Sequence, residues 1–294
     1  MIYNMMIFFS KVACNLPKGL RLRIGGFIGW ITWCIVPKKR KKMAIRNVRL
    51  SLGVEGKKAE FIAKMSWTRF GRMIMEVLIF PKIKKDIDSC VIFKGLENLD
   101  KALAEGKGVV LATSHSGNWE LLGGALATKG YPLVAVAKKQ TAGQMDKFIN
   151  EFRTLMGMHV TYKTGVIEMV KMLGKGNIIG LLMDQDAGYD GVILDFLNRP
   201  ASCPKGCAFL ARLKDAPIVP AFITENDDDT HTILIKDVMH IEKTDDKEAD
   251  IKKMTEKLNI IIENHIKEHP TEWFWLHNRW SHTEEILKME NTVL

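Results

Sequence analysis

Apolar and polar positions change period near residue 89. Upstream, Met1–Ser10 is apolar apart from Asn4 and Ser10, Ile24–Val36 is apolar throughout, and Lys58–Ile79 repeats apolar residues at helical spacing. That spacing predicts a long amphipathic helix over 58–79. Downstream, short apolar runs alternate with amphipathic stretches, the habit of an α/β domain. Strands are predicted at Cys90–Phe93, Gly108–Thr113, Leu133–Ala137, His159–Tyr162, Asn177–Met183, Val192–Phe196, Ile218–Thr224 and Thr232–Ile235. Helices are predicted at Leu99–Ala104, Trp119–Thr128, Met145–Met156, Val166–Leu173 and Lys205–Lys214, with Gly130, Gly157 and Gly174 at their stops. Ile251, Met254, Leu258, Ile261 and Ile262 predict one more, ended by Pro270.

Charge divides the same chain differently. Residues 1–60 carry 13 basic and 2 acidic side chains, so a net +11 there leaves −2 on the remainder of a +9 chain. Such an arm suits nucleic acid or an anionic membrane. The sequence between the charges favours the membrane. Ile24–Val36 includes Trp30 and Trp33 and is followed by Pro37 and the block Lys38-Lys39-Arg40-Lys41-Lys42. Its uncharged run falls short of the roughly 20 apolar residues that a spanning helix needs, so an interfacial anchor is expected, basic side to the cytoplasm. No basic stretch precedes the apolar one, which argues against a cleaved signal peptide. The expected division is a membrane-associating segment over 1–45 and an α/β domain over 46–294, with no nucleic-acid partner.

With 294 residues, 47% hydrophobic, the chain can bury a core without disulfide or metal staples. Its five cysteines have no scaffold spacing, and Cys203 and Cys207 lack a partner pair, so both are read as structural. The acidic run Glu225–Asp229 reads as a hairpin turn in preference to a metal site. Neither a GxGxxG nor a GxxxxGK[ST] loop is present.

Candidate chemistry sits where strand 108–113 enters Ser114-His115-Ser116-Gly117-Asn118-Trp119-Glu120 and a helix begins. The carboxyl end of a strand facing a helix N-terminus offers N–H groups and a positive dipole end to developing negative charge. His115 is positioned as a general base, and the five-residue offset lets Glu120 return to the imidazole to fix its tautomer. Taken singly, each residue also fits a plain loop histidine and a first-turn acid.

The run TSHSGNWELLGGALA resembles the HxxxxD/E acyltransferase motif of the lipid A biosynthesis late acyltransferases. Further blocks are similar in order: Asp184-Gln185-Asp186-Ala187-Gly188 with Asp195-Phe196 and Pro200-Ala201, the segment Pro270–Trp280, and Gly25-Gly26 with Arg46-Asn47. The resemblance implies a central mixed sheet flanked by helices, like that of the glycerol-phosphate acyltransferases. It implies transfer of a fatty acyl chain from acyl carrier protein to a hydroxyl of a Kdo-bearing lipid A precursor at the cytoplasmic face of the inner membrane, with no metal or organic cofactor. By the same resemblance His115 is the base, Glu120 its orienting acid, and Lys138, Asp184, Asp186, Arg199 and Arg279 are substrate-binding candidates. Plainer readings stand beside these: turn acids for Asp184 and Asp186, a surface charge for Arg199, and cation–π packing for Arg279. One departure is Lys138-Lys139 where relatives carry an arginine, and lysine lacks the planar fork. Two alternatives remain open at this point: an acyltransferase acting on another glycolipid, such as a phosphatidylinositol mannoside, or drawing on acyl-CoA, and a non-catalytic lipid-binding protein on the same fold.

Overall fold

The computed structural model describes residues 2–138 and 142–286. Five helices come first: α1 (Ile2–Asn15), α2 (Lys18–Ile35), α3 (Lys38–Leu52), α4 (Gly56–Leu78) and the single turn α5 (Phe80–Ile83). Then follow β1 (Val91–Lys94), α6 (Leu96–Ala104), β2 (Val109–Thr113), α7 (Trp119–Thr128), β3 (Leu133–Ala137) and α8 (Gly143–Leu155). The chain continues through β4 (His159–Tyr162), α9 (Val166–Leu173), β5 (Ile178–Leu182), β6 (Val192–Phe196), β7 (Arg199–Cys203) and α10 (Gly206–Lys214). It closes with β8 (Ile218–Glu225), β9 (His231–Ile235) and α11 (Lys247–Glu268).

The sheet is mixed, in the order β1-β9-β8-β2-β5-β3-β4, and only β8–β9 is antiparallel. The fold is therefore α/β with helices on both faces, as the alternating pattern implies. Central β2 is buried at all five positions, which is why it reads as a continuous apolar run. Its residues alternate between two cores: Val110 and Ala112 face the layer of α9, α10 and α11, while Val109 and Leu111 face α6, α7 and α8.

One strand has no counterpart among the predicted elements. Arg199–Cys203 pairs antiparallel with β6 across a two-residue turn, Leu197-Asn198, in which both residues have positive φ. Two such residues make a hairpin turn of the primed kind, usually signalled by Asn-Gly. The Glu225–Asp229 run is the predicted hairpin turn, closed by Asn226 N–H to the Thr230 carbonyl. Its carboxylates are engaged by arginines: Glu225 by Arg69 and Arg72, and Asp229 by Arg72.

The first helices are packed on the rest. A Cβ at Gly29 would lie 2.8 Å from the Thr68 carbonyl oxygen, and one at Gly71 would lie 2.6 Å from that of Gly25, so α2 and α4 cross backbone to backbone. The expected boundary at residue 45 falls inside α3, whose Ala44 and Val48 belong to the main core. On their outer side α1 and α2 expose Phe8, Phe9, Phe27, Trp30 and Ile35. Among the described residues no single helix is long and apolar enough to cross a membrane; α2 and α3 together reach that length and composition but are bent by 109°.

Candidate active site

Strand pairing builds the site. β2 and β5 are parallel neighbours with Thr113 opposite Leu182, so two steps beyond the pair the chain places His115 opposite Asp184. Asp184 Oδ1 lies 2.9 Å from His115 Nδ1, and its Oδ2 accepts the His115 backbone N–H at 2.9 Å. Trp273 donates its indole N–H to the same carboxylate at 2.6 Å. Asp184 is 1% exposed. Burial works against its charge, but His115 and the hydrogen bonds from His115 and Trp273 outweigh that, and the carboxyl stays below its ordinary range. An ionised carboxylate only accepts, so His115 Nδ1 carries the proton and donates it, and in the neutral imidazole the lone pair is then on Nε2. The ring is half-buried and meets Trp119 edge-on at 5.0 Å.

The turn is clamped from two sides. Phe274 N–H binds the His115 carbonyl, Gly117 N–H binds that of Glu272, and Ser116 forms a β-bridge with Trp273, so the C-terminal tail lies along the turn. Asn118 caps α7 by accepting the Leu121 N–H at 2.9 Å, and its own side-chain amide donates to Glu76 at 2.8 Å. Gly117 has φ +59 and would place a Cβ 2.3 Å from the Ile223 carbonyl oxygen, which requires glycine there. Beside Gly117–Trp119 lies a small pocket of about 20 Å³ with aromatic walls from Phe70, Trp119 and Phe274. Burial raises Glu76 to about 8 and lowers its neighbour His231 to about 4, so both are neutral near pH 7.

The expected partnership of His115 with Glu120 is corrected by this geometry. Glu120 is buried in the first turn of α7, and both its oxygens take Arg153 of α8, at 2.8 and 2.5 Å. Out of solvent a carboxylate and a guanidinium satisfy each other bidentately, and the acid that meets the imidazole comes from the adjacent strand instead.

The remaining predicted residues fall in different places. Lys138 is exposed directly after β3, and Lys139 lies outside the described residues. Asp186 is not aimed at a ligand: it accepts the N–H groups of Gly188 and His282, and its own N–H donates to His277 Nε2 at 3.2 Å. His277 sits in the field of Asp184 and His115, and burial lowers it to about 4. Arg199 binds Asn47 and Glu284 and stacks on Trp280, which commits it to tail packing. Arg279 is wholly buried, donates to the Ser202 carbonyl and to Cys203 Sγ, and lies over Phe196 at 4.6 Å; a substrate cannot reach it. Sequence reasoning missed Arg153, which carried no motif signal, and the role of Trp273, which stood within the C-terminal block.

The family model described as bacterial lipid A biosynthesis acyltransferase matches residues 1–282. A lipid A biosynthesis acyltransferase of Haemophilus influenzae is 26% identical over 281 residues, covering 92% of this chain and 84% of that protein. A phosphatidylinositol mannoside acyltransferase of Mycobacterium tuberculosis (H37Rv) is 27% identical over 224 residues, 72% of this chain and 67% of that protein. The crystal structure of the 1-acyl-sn-glycerophosphate acyltransferase of Thermotoga maritima aligns with TM-score 0.41 and 11% identity, over 86% of this chain and 98% of that one, a likeness too distant to carry an argument.

Proposed function

The chain belongs to the bacterial lipid A biosynthesis acyltransferase family, and from that premise we propose that it transfers a fatty acyl group from acyl carrier protein to a hydroxyl of a Kdo-bearing lipid A precursor. His115 acts as general base. Its Nε2 takes the hydroxyl proton as the acceptor oxygen attacks the thioester carbonyl, and Asp184 supports the imidazolium that results. When the tetrahedral intermediate collapses, the C–S bond breaks and the imidazolium returns its proton to the leaving thiolate. Glu120 acts through Arg153, fixing the first turn of α7 and with it the approach to His115. Lys138, beyond β3, is the exposed cation that meets a substrate phosphate. The apolar outer face of α1 and α2 with the Lys38–Lys42 block seats the enzyme on the cytoplasmic face of the inner membrane. The observation that carries this reading is the His115–Asp184 pair, with the lone pair of the neutral imidazole on Nε2.

A second reading has its own support, the match to the mycobacterial mannoside acyltransferases: a different glycolipid acceptor. With either acceptor, acyl-CoA is the alternative donor. Purified enzyme offered each donor with each acceptor, read by product mass, separates them. The expected product is the lipid A precursor heavier by one acyl chain, formed from acyl carrier protein. Transfer to the mannoside alone, or from acyl-CoA alone, replaces the first reading, and no transfer in any combination overturns both.

A further inference from the structure

Between the start of α2 and the end of α4 lies an open cleft of about 220 Å³ whose lining does not include His115 or Asp184. Its walls are apolar, formed by Leu22, Met75, Ile79, Ile83 and Leu121. Lys18, Arg21 and Lys82 line it as well. Arg21 is only 6% exposed, its NH1 donates to the Leu16 carbonyl, and its Nε has no hydrogen-bond partner. Lys82 donates to the Cys14 carbonyl and Lys18 to that of Asp228. Among the described residues none of the three forms an ion pair with a carboxylate. Three acids also line the cleft, of which Asp229 is held by Arg72 and Glu76 by Asn118 and His231, leaving Asp86.

A buried guanidinium short of a partner, two further cations and apolar walls describe a site for an anionic amphiphile. We propose that this cleft binds a membrane phospholipid, its phosphate against Lys18, Arg21 and Lys82 and its acyl chain along Leu22, Met75, Ile79 and Ile83. The source is the bilayer, because α1 and α2, whose connecting turn supplies the Leu16 carbonyl that Arg21 holds, expose Phe8, Phe9, Val12 and Leu20. Glu76 in the lining also accepts the side-chain amide of Asn118, the cap of α7. None of its lining residues takes part in the proposed acyl-transfer step, so its failure leaves that reaction untouched.

Cys90 lines the cleft and is a free thiol, which provides the readout. In the full chain in neutral-detergent micelles, alkylation of Cys90 by a maleimide is followed by peptide mass spectrometry, with exposed Cys34 as reference. At ten times its dissociation constant, lysophosphatidylglycerol slows Cys90 labelling about tenfold relative to Cys34. Arg21→Gln, and the surface pair Lys18→Gln with Lys82→Gln should Arg21→Gln fail to fold, abolish that protection. Equal protection by a neutral monoacylglycerol, protection by inorganic phosphate alone, or no protection by the lysolipid each overturns the proposal.

Discussion

Glu76 shows how the fold sets a charge state far from its ordinary one. It is 8% exposed, burial is the largest influence on it, and Glu225 and Asp229 push in the same direction while Asn118 and Arg72 oppose. A carboxyl near 8 in the folded state and near 4.5 in the unfolded chain binds a proton that the unfolded chain has lost between those values. Its contribution to stability is therefore full below about pH 4.5 and is lost as pH rises toward 8, by roughly 1.4 kcal/mol per pH unit. Glu76→Gln keeps an acceptor for Asn118 and cannot ionise, so urea unfolding between pH 5 and 8 should show a flatter pH dependence than the wild type. An identical slope in both would mean that Glu76 is charged in the folded protein. At the same scale, the acid expected beside His115 was Glu120, because only the local neighbour can be read from spacing. The true partner, Asp184, is 69 residues away and is placed by the β2–β5 register, which no local pattern encodes.

Elements were legible where burial writes a period. β3, β6, α7 and α9 coincide with their predicted ranges, because each buries an apolar run or stripe bounded by glycine or a polar turn, and β4 coincides as well although its one buried residue is Thr161. β7 was not, since Pro200 and the polar residues around it read as a turn; proline is tolerated there because the strand belongs to a two-stranded ribbon. The α2–α4 crossing was equally silent: glycine's value at 29 and 71 lies in what it lets approach. Gly29→Val should drive a side chain into the Thr68 backbone and cost roughly 1–3 kcal/mol in chemical denaturation. A variant as stable as wild type would show that α2 is not seated on α4 in this way.

At the scale of the molecule, the +9 charge is a property of one end. Lys38, Lys39 and Lys42 are exposed at the start of α3, directly after the apolar face of α2. Near an anionic surface each lysine contributes about 1 kcal/mol, so changing all three to Gln should weaken binding to phosphatidylglycerol vesicles about a hundredfold in cosedimentation. Binding to neutral vesicles should change little. In the proposed function that segment seats the protein on the membrane, and the proposed chemistry rests on one contact. The most direct test is single-turnover acyl transfer by Asp184→Asn beside wild type, each shown folded by its unfolding curve. The amide removes the charge behind the imidazole but keeps the side chain's size, and the rate should fall on the order of 100-fold to 10,000-fold. A folded Asp184→Asn enzyme turning over at the wild-type rate would contradict the account.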